Sequence, residues 1–245
     1  MPDPWAALRA TTRARIGLGR TGNALPIQDV LDFQLAHARA RDAVHAELNT
    51  DAVARAIAPL PHAVMRSRAQ DRATYLRRPD LGRQLDPACG AGASGPCDAV
   101  FIIADGLSPA GVQLHAPKLL QNCIDRLEGW TIAPIVIATQ ARVALGDEIG
   151  ALFQATLAVI LIGERPGLSV ANSLGVYLTY QPRPGRRDSE RNCISNIHDD
   201  GLPIAAAAET LTWLMTEARH RKLSGVELKD NRLAHVAEQH SLSSD

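Results

Sequence analysis

Asp98-Ala-Val-Phe-Ile-Ile-Ala-Asp-Gly106 decides the fold class. Its centre, residues 99–104, is apolar at every position, so no alternation marks one face as wet. A strand of that kind is buried on both faces. Asp105-Gly106 closes the run, and a helical pattern follows over 111–128 with Val112, Leu119, Leu120, Cys123 and Leu127 on one side. The rhythm then repeats, with strands over 132–139, 156–163 and 174–180 and helices over 146–154 and 205–221. Strands alternating with helices predict an α/β fold, a Rossmann-like parallel sheet with helices on both faces.

Upstream of this region the pattern differs. Residues 5–78 read as a loosely amphipathic helical segment, with helices over 5–16, 28–48 and 51–58. Gly17 to Pro26 and Pro59-Leu-Pro61 interrupt it. Residues 79–97, rich in Gly, Pro and Ala, read as a linker. The expected organisation is therefore an N-terminal helical segment and linker over 1–97, packing against another subunit, then a ligand-binding domain over 98–230 and a polar tail over 231–245. No internal repeat is present.

Composition narrows the function. Aromatic residues are only 4% of the 245, so the core is built from Ala, Val, Leu and Ile. Lys plus Arg equals Asp plus Glu at 26 each, and this balance excludes a nucleic-acid partner, which calls for basic excess. It also leaves little charge-based solubility, as suits a chain living in a complex. Cys89, Cys97, Cys123 and Cys193 show no C-x-x-C spacing, so zinc and disulfide frameworks give way to reduced intracellular thiols. No apolar run approaches the roughly 18 residues of a membrane span, and Met1-Pro-Asp-Pro-Trp-Ala6 is no signal peptide.

Four segments are candidates for chemistry. Gly17-Leu-Gly-Arg-Thr-Gly22 matches G-x-G-x-x-G, but an Arg-rich helical stretch precedes it instead of a strand, so it reads as a turn and not as a dinucleotide site. Asp105-Gly-Leu-Ser108 follows the first strand; Ser108 suits a helix N-cap, and Gly106 close approach of a ligand. Gly163-Glu-Arg-Pro-Gly167 places Glu164 just beyond an apolar strand, as an acceptor for amide N–H or ribose hydroxyl groups or as an ion-pair partner of Arg165. Asp188 to Ile197 reads as a polar loop carrying Cys193. His198, five residues on, gives no reason for a thiol–imidazole pair, so Cys193 reads as a soft contact surface rather than a nucleophile. Val143, in the loop after the second strand, belongs to the same edge as Glu164.

Several strings in order resemble the small subunit of ethanolamine ammonia-lyase: Thr12-Arg-Ala-Arg-Ile-Gly-Leu-Gly-Arg20, Gln140-Ala-Arg-Val-Ala-Leu-Gly-Asp-Glu-Ile-Gly150, Ile162-Gly-Glu-Arg-Pro-Gly-Leu-Ser169 and Arg191-Asn-Cys-Ile-Ser-Asn196. The resemblance implies adenosylcobalamin as cofactor, contacted here by Val143, Glu164 and Cys193, with further hydrogen bonds from Asp105, Ser108, Arg142 and Asn192. It implies a large-subunit partner, a TIM barrel holding ethanolamine, in a higher-order hetero-oligomer that releases acetaldehyde and ammonia by a radical route. No D-x-H-x-x-G is present to bring a histidine to cobalt, in keeping with a cofactor that keeps its own benzimidazole ligand. Only four residues precede Trp5 where many relatives carry a longer leader, so the cytoplasm is expected at least as much as a bacterial microcompartment. The competing expectations are a self-sufficient Rossmann oxidoreductase, which would need repeated glycines after the first strand, and a scaffold subunit without ligand contact.

Overall fold

Residues 99–104 have no exposed surface, and the run forms a central strand of a six-stranded sheet. The computed structural model describes residues 3–89 and 95–230; the expected tail and part of the expected linker lie outside them. In chain order the elements are α1 (Ala6–Ala10), α2 (Ile27–His45), α3 (Thr50–Ala56), β1 (His62–Arg66), α4 (Arg72–Arg77), β2 (Cys97–Ala104), α5 (Pro109–Ile124), β3 (Ile135–Thr139), α6 (Leu145–Leu152), β4 (Ala155–Gly163), β5 (Leu174–Tyr180), β6 (Arg191–Ile197) and α7 (Ile204–Arg221).

The sheet order is β1-β3-β2-β4-β5-β6. Its first four strands are parallel, whereas β4–β5 and β5–β6 pair antiparallel. The α/β class is as expected, but the sheet is mixed. No α-helix links β4 to β5 or β5 to β6 (only one 3-10 turn, Asp188–Glu190, precedes β6), and a parallel return needs a crossover that those loops do not contain. Two strands were not foreseen. His62–Arg66 lies inside the stretch read as helical, and it extends the parallel sheet beside β3. Arg191–Ile197 lies in the segment read as a loop. It looked polar because it is an edge strand that turns only Arg191, Ile194 and Ile197 fully inward.

Strict alternation along the parallel strands builds two cores. Ala99, Phe101 and Ile103 of β2 join Val159 and Leu161 of β4 and the inner faces of α5 and α7. Val100, Ile102 and Ala104 join Ile160 and Ile162 and the Leu145 and Ile149 side chains of α6. Each fully buried Ile or Leu contributes roughly 1.5–3 kcal/mol relative to exposure. Ser108 caps α5 by accepting the Gly111 N–H (3.2 Å), with Pro109 as the first helical residue.

The described part of the expected linker is tied down rather than free. The Gly82 carbonyl accepts the Arg142 N–H (2.8 Å), and the Leu85 N–H donates to Glu148 (2.7 Å). The three glycines of residues 17–22 all have positive φ, and no strand leads into them, so the turn reading holds. By contrast α2 buries none of its residues and leaves Ile27, Leu31, Phe33 and Leu35 exposed. No helix among the described residues is long and apolar enough to cross a membrane.

The end of β4 is close-packed at backbone level. A Cβ on Gly163 would sit 2.2 Å from the Ser108 carbonyl oxygen and 2.5 Å from that of Asp105. Gly163→Ala is therefore expected to lose roughly 2–3 kcal/mol in urea unfolding. An unchanged midpoint and slope would contradict this packing.

Candidate functional site

The β2 chain end leads into α5 on one face of the sheet, and the neighbouring β3 end leads into α6 on the other. Such a divergence opens a crevice at the carboxyl edge. Here Asp105 fills it. One of its oxygens accepts the Ala141 N–H (2.9 Å); the other accepts the Gln140 N–H (2.7 Å) and faces the Arg72 guanidinium at 3.3 Å. Burial pushes this carboxyl up to about 6, against the pull of those amides and of Arg72. Asp105 therefore serves the loop rather than a ligand.

Two more expected donors are likewise engaged within the chain. Ser108 caps α5 and donates to the Ala171 carbonyl (2.7 Å). Asn192 donates to the carbonyls of Gly225 (3.1 Å) and Leu228 (2.7 Å) and accepts the Gly225 N–H (2.8 Å). Arg142 differs. Its guanidinium lies over the Tyr75 ring at 4.4 Å, and its buried Nε has no hydrogen-bond partner.

The geometry brings Val143, Glu164 and Cys193 together around a residue the sequence did not single out, Tyr177. A cleft of about 290 Å³ is lined by Val143, Glu164, Tyr177 and Arg142 together with the Gly106–Leu107 turn. Cys193 is the register partner of Tyr177 across β5–β6, so the two side chains stand side by side on one face of the sheet. Tyr177 in turn pairs with Ile160, so both lie on the α6 side of the sheet, beyond the strands that α6 covers. Nothing in the sequence ranks Tyr177 above Tyr180, because the distinction is which face of an antiparallel strand each one takes.

Glu164 is held by one oxygen. Its Oε2 accepts from the Ser173 hydroxyl and from the Asn196 N–H (3.1 Å). Oε1 makes no hydrogen bond among the described residues and lies beside Gly175, where a Cβ would come within 3.0 Å of it. The alternative of an ion pair with Arg165 is not what the structure shows: these contacts orient the carboxylate, and Arg165 is exposed.

Cys193 is exposed as a residue, yet crowding by its neighbours raises its thiol above the ordinary value; Tyr177 opposes the rise and Glu164 adds to it. Burial, then Cys193 and Glu164, push the Tyr177 hydroxyl up to about 12. Both groups are neutral near pH 7. His198 bonds Asn196 (2.8 Å) and accepts the Asp200 N–H (3.3 Å), so it does not activate the thiol. The arrangement is a weakly polar platform in which a neutral thiol and phenol stand beside one oriented carboxylate, and it has no nucleophile apparatus.

Residues 2–229 match the family described as "Ethanolamine ammonia-lyase light chain (EutC)". The chain belongs to that family. It is 51% identical over 239 residues to the ethanolamine ammonia-lyase small subunit of Azotobacter vinelandii, covering 93% of this chain and 88% of that one. Against the small subunit of Rhodopseudomonas palustris it is 52% identical over 238 residues, covering 94% and 91%. The match over residues 2–229 spans the N-terminal helices and the sheet together, not only the local strings.

In this light chain the cross-strand juxtaposition of Tyr177 and Cys193 has a measurable consequence. The hydroxyl beside the thiol favours the thiolate, so Tyr177→Phe should raise the Cys193 pKa further and shift its alkylation profile to higher pH. Iodoacetamide labelling mapped by mass spectrometry reads Cys193 separately from Cys89. An unchanged profile would show that the hydroxyl does not act on the thiol.

Proposed function

We propose that this chain is the cofactor-binding small subunit of an adenosylcobalamin-dependent ethanolamine ammonia-lyase and contributes one wall of the cobalamin site. The observation that supports this most directly is the convergence of Val143, Glu164 and Cys193, distant in sequence, around Tyr177 on an uncovered sheet face. A corrin ring is broad, largely apolar across its face and fringed by neutral carboxamides. Val143, Tyr177 and Cys193 give it apolar and soft contact, and the free Oε1 of Glu164 accepts an amide N–H. The donor set of apolar, soft and carboxylate groups suits such a group.

When bound, adenosylcobalamin supplies the adenosyl radical that initiates loss of ammonia from ethanolamine to leave acetaldehyde. The role of this chain is to orient and shield. Ser173 and Asn196 fix the Glu164 carboxylate, and the neutral thiol and phenol keep charge away from the ring. A cleft of about 290 Å³ holds only part of so large a cofactor, and this reading gives the opposite wall to a large subunit, which the family resemblance implies is a TIM barrel that holds the substrate. A second surface supports a partner: Trp5, Leu8, Ile27, Leu31, Phe33 and Leu35 are all exposed along the N-terminal helices.

Adenosylcobalamin-dependent acetaldehyde release from ethanolamine should appear with this chain and a large subunit together, and with neither alone. Glu164→Gln in the pair should weaken corrinoid binding about tenfold, the scale of a lost charge-assisted hydrogen bond. An assembled pair without activity would overturn the substrate assignment.

A further inference from the structure

Adjoining the cobalamin cleft is a second one of about 650 Å³, which shares Arg142, Val143 and Tyr177 with it. Its other lining includes Arg83, Arg186, Arg187 and Arg191, against a single carboxylate, Asp188. In a chain of zero net charge this is a strong local excess.

The guanidiniums fall into two groups. Arg191 is neutralised by a two-pronged pair with Asp147, one arm at 2.7 Å, with Asp188 at 3.5 Å from its Nε; Arg186 is paired with Glu190. Arg83, Arg142 and Arg187 make no ion pair among the described residues. Arg142 is the most constrained of the three. Its alkyl chain packs over Gly82, where a Cβ would meet it at 2.9 Å, its guanidinium is stacked on Tyr75, and its Nε is buried with no hydrogen-bond partner. A guanidinium held in place by Tyr75 and Gly82, beside two exposed ones that likewise have no ion pair among the described residues, is a donor set in want of an oxyanion.

We propose that Arg83, Arg142 and Arg187 bind the phosphodiester of the cofactor's nucleotide tail. This rests on the corrin reading above and extends it. The corrin fringe is made of neutral amides, and the phosphodiester is the anionic group of the cofactor's side chains. A tail turning off the ring beside Val143 and Tyr177 enters the Arg-lined cleft, where its phosphate meets the unpaired cations. The site thus divides by chemistry: an apolar and soft platform with one carboxylate acceptor for the ring, and a cationic recess for the tail.

The test uses the assembled two-subunit complex and follows corrin absorbance on titration with adenosylcobalamin and with adenosylcobinamide, which has the ring and adenosyl group but no phosphodiester or nucleotide. Arg83→Gln with Arg187→Gln is the variant of choice, because both side chains are exposed and the fold does not depend on them. Adenosylcobalamin affinity should fall about tenfold or more and lose much of its salt dependence, while adenosylcobinamide affinity stays unchanged. Glu164→Gln should weaken both ligands. Equal loss for both corrinoids in the double variant, or no loss for either, would overturn the assignment. A site for free phosphate would instead let inorganic phosphate raise the melting temperature of the complex already loaded with adenosylcobalamin, and that result would overturn it too. A wild-type complex that binds neither corrinoid would defeat the corrin reading itself and this inference with it.

Discussion

The buried carboxylate of Asp105 is the constraint on which the site depends. It stands at the end of the most buried strand, where the chain leaves for α5, and it grips two successive amides at the start of the loop leading to α6. A lone carboxylate at such depth would be strongly disfavoured, and Arg72 offsets that cost. Arg72 is itself shared: it donates to the carbonyls of Val44 (2.8 Å) and Gly106 (2.9 Å). The C-terminal turn of α2, the turn after β2 and the loop after β3 are thereby bound to one ion pair. Tyr75 completes the lock. Its ring lies between the guanidiniums of Arg72 (4.8 Å) and Arg142 (4.4 Å), and its hydroxyl donates to the Ala141 carbonyl (3.0 Å). Residues 140–142 thus have their amides, a carbonyl and a side chain all fixed, and Val143 inherits its position from them.

The same lock explains why the expected donors separated as they did. Asp105, Ser108 and Asn192 are polar residues at strand or helix ends, where the sequence places ligand contacts and caps alike. What divides the two roles is whether the backbone nearby has amides or carbonyls left unpaired, and that is a property of the assembled loops. Positions 105, 108 and 192 each meet such groups. Glu164 meets them with only one oxygen, and Arg142 meets an aromatic ring instead.

Legibility followed periodicity. Continuous apolar runs gave β2, β3 and β4, and the expected and observed bounds of β5 coincide at Leu174–Tyr180. The convergence of positions 143 and 164 at one edge was legible because both follow parallel strands. β1 was hidden because five residues with one fully buried side chain, between a proline-rich turn and α4, carry little pattern. β6 was hidden because its outward face is polar and its free side is closed by the Gly225–Leu228 segment through Asn192, an arrangement that blunts an edge strand without hydrophobic residues. The direction of β5 was recoverable in principle. No helical pattern lies between residues 163 and 174, and without a crossover the strand has to return antiparallel.

That departure from a parallel sheet is what leaves room for a partner. Had another helix crossed back from β4, it would have lain over the sheet face where Tyr177 and Cys193 stand. Hairpin returns extend the sheet by two strands and put no helix there, so the face stops being core and becomes surface. A surface of this kind needs different residues from a core: a half-buried phenol, a small thiol and a glycine at 175 beside the carboxylate that must stay clear. It also tolerates guanidiniums at its margin, where Arg191 is neutralised from α6 by Asp147 and Arg142 makes no ion pair among the described residues. The loops fixed by Asp105 hold one side of that face rigid, while the other side is open. On the cobalamin reading proposed above, a protein built in this way presents half a binding site, and the exposed apolar N-terminal helices are the surface by which it would meet the other half.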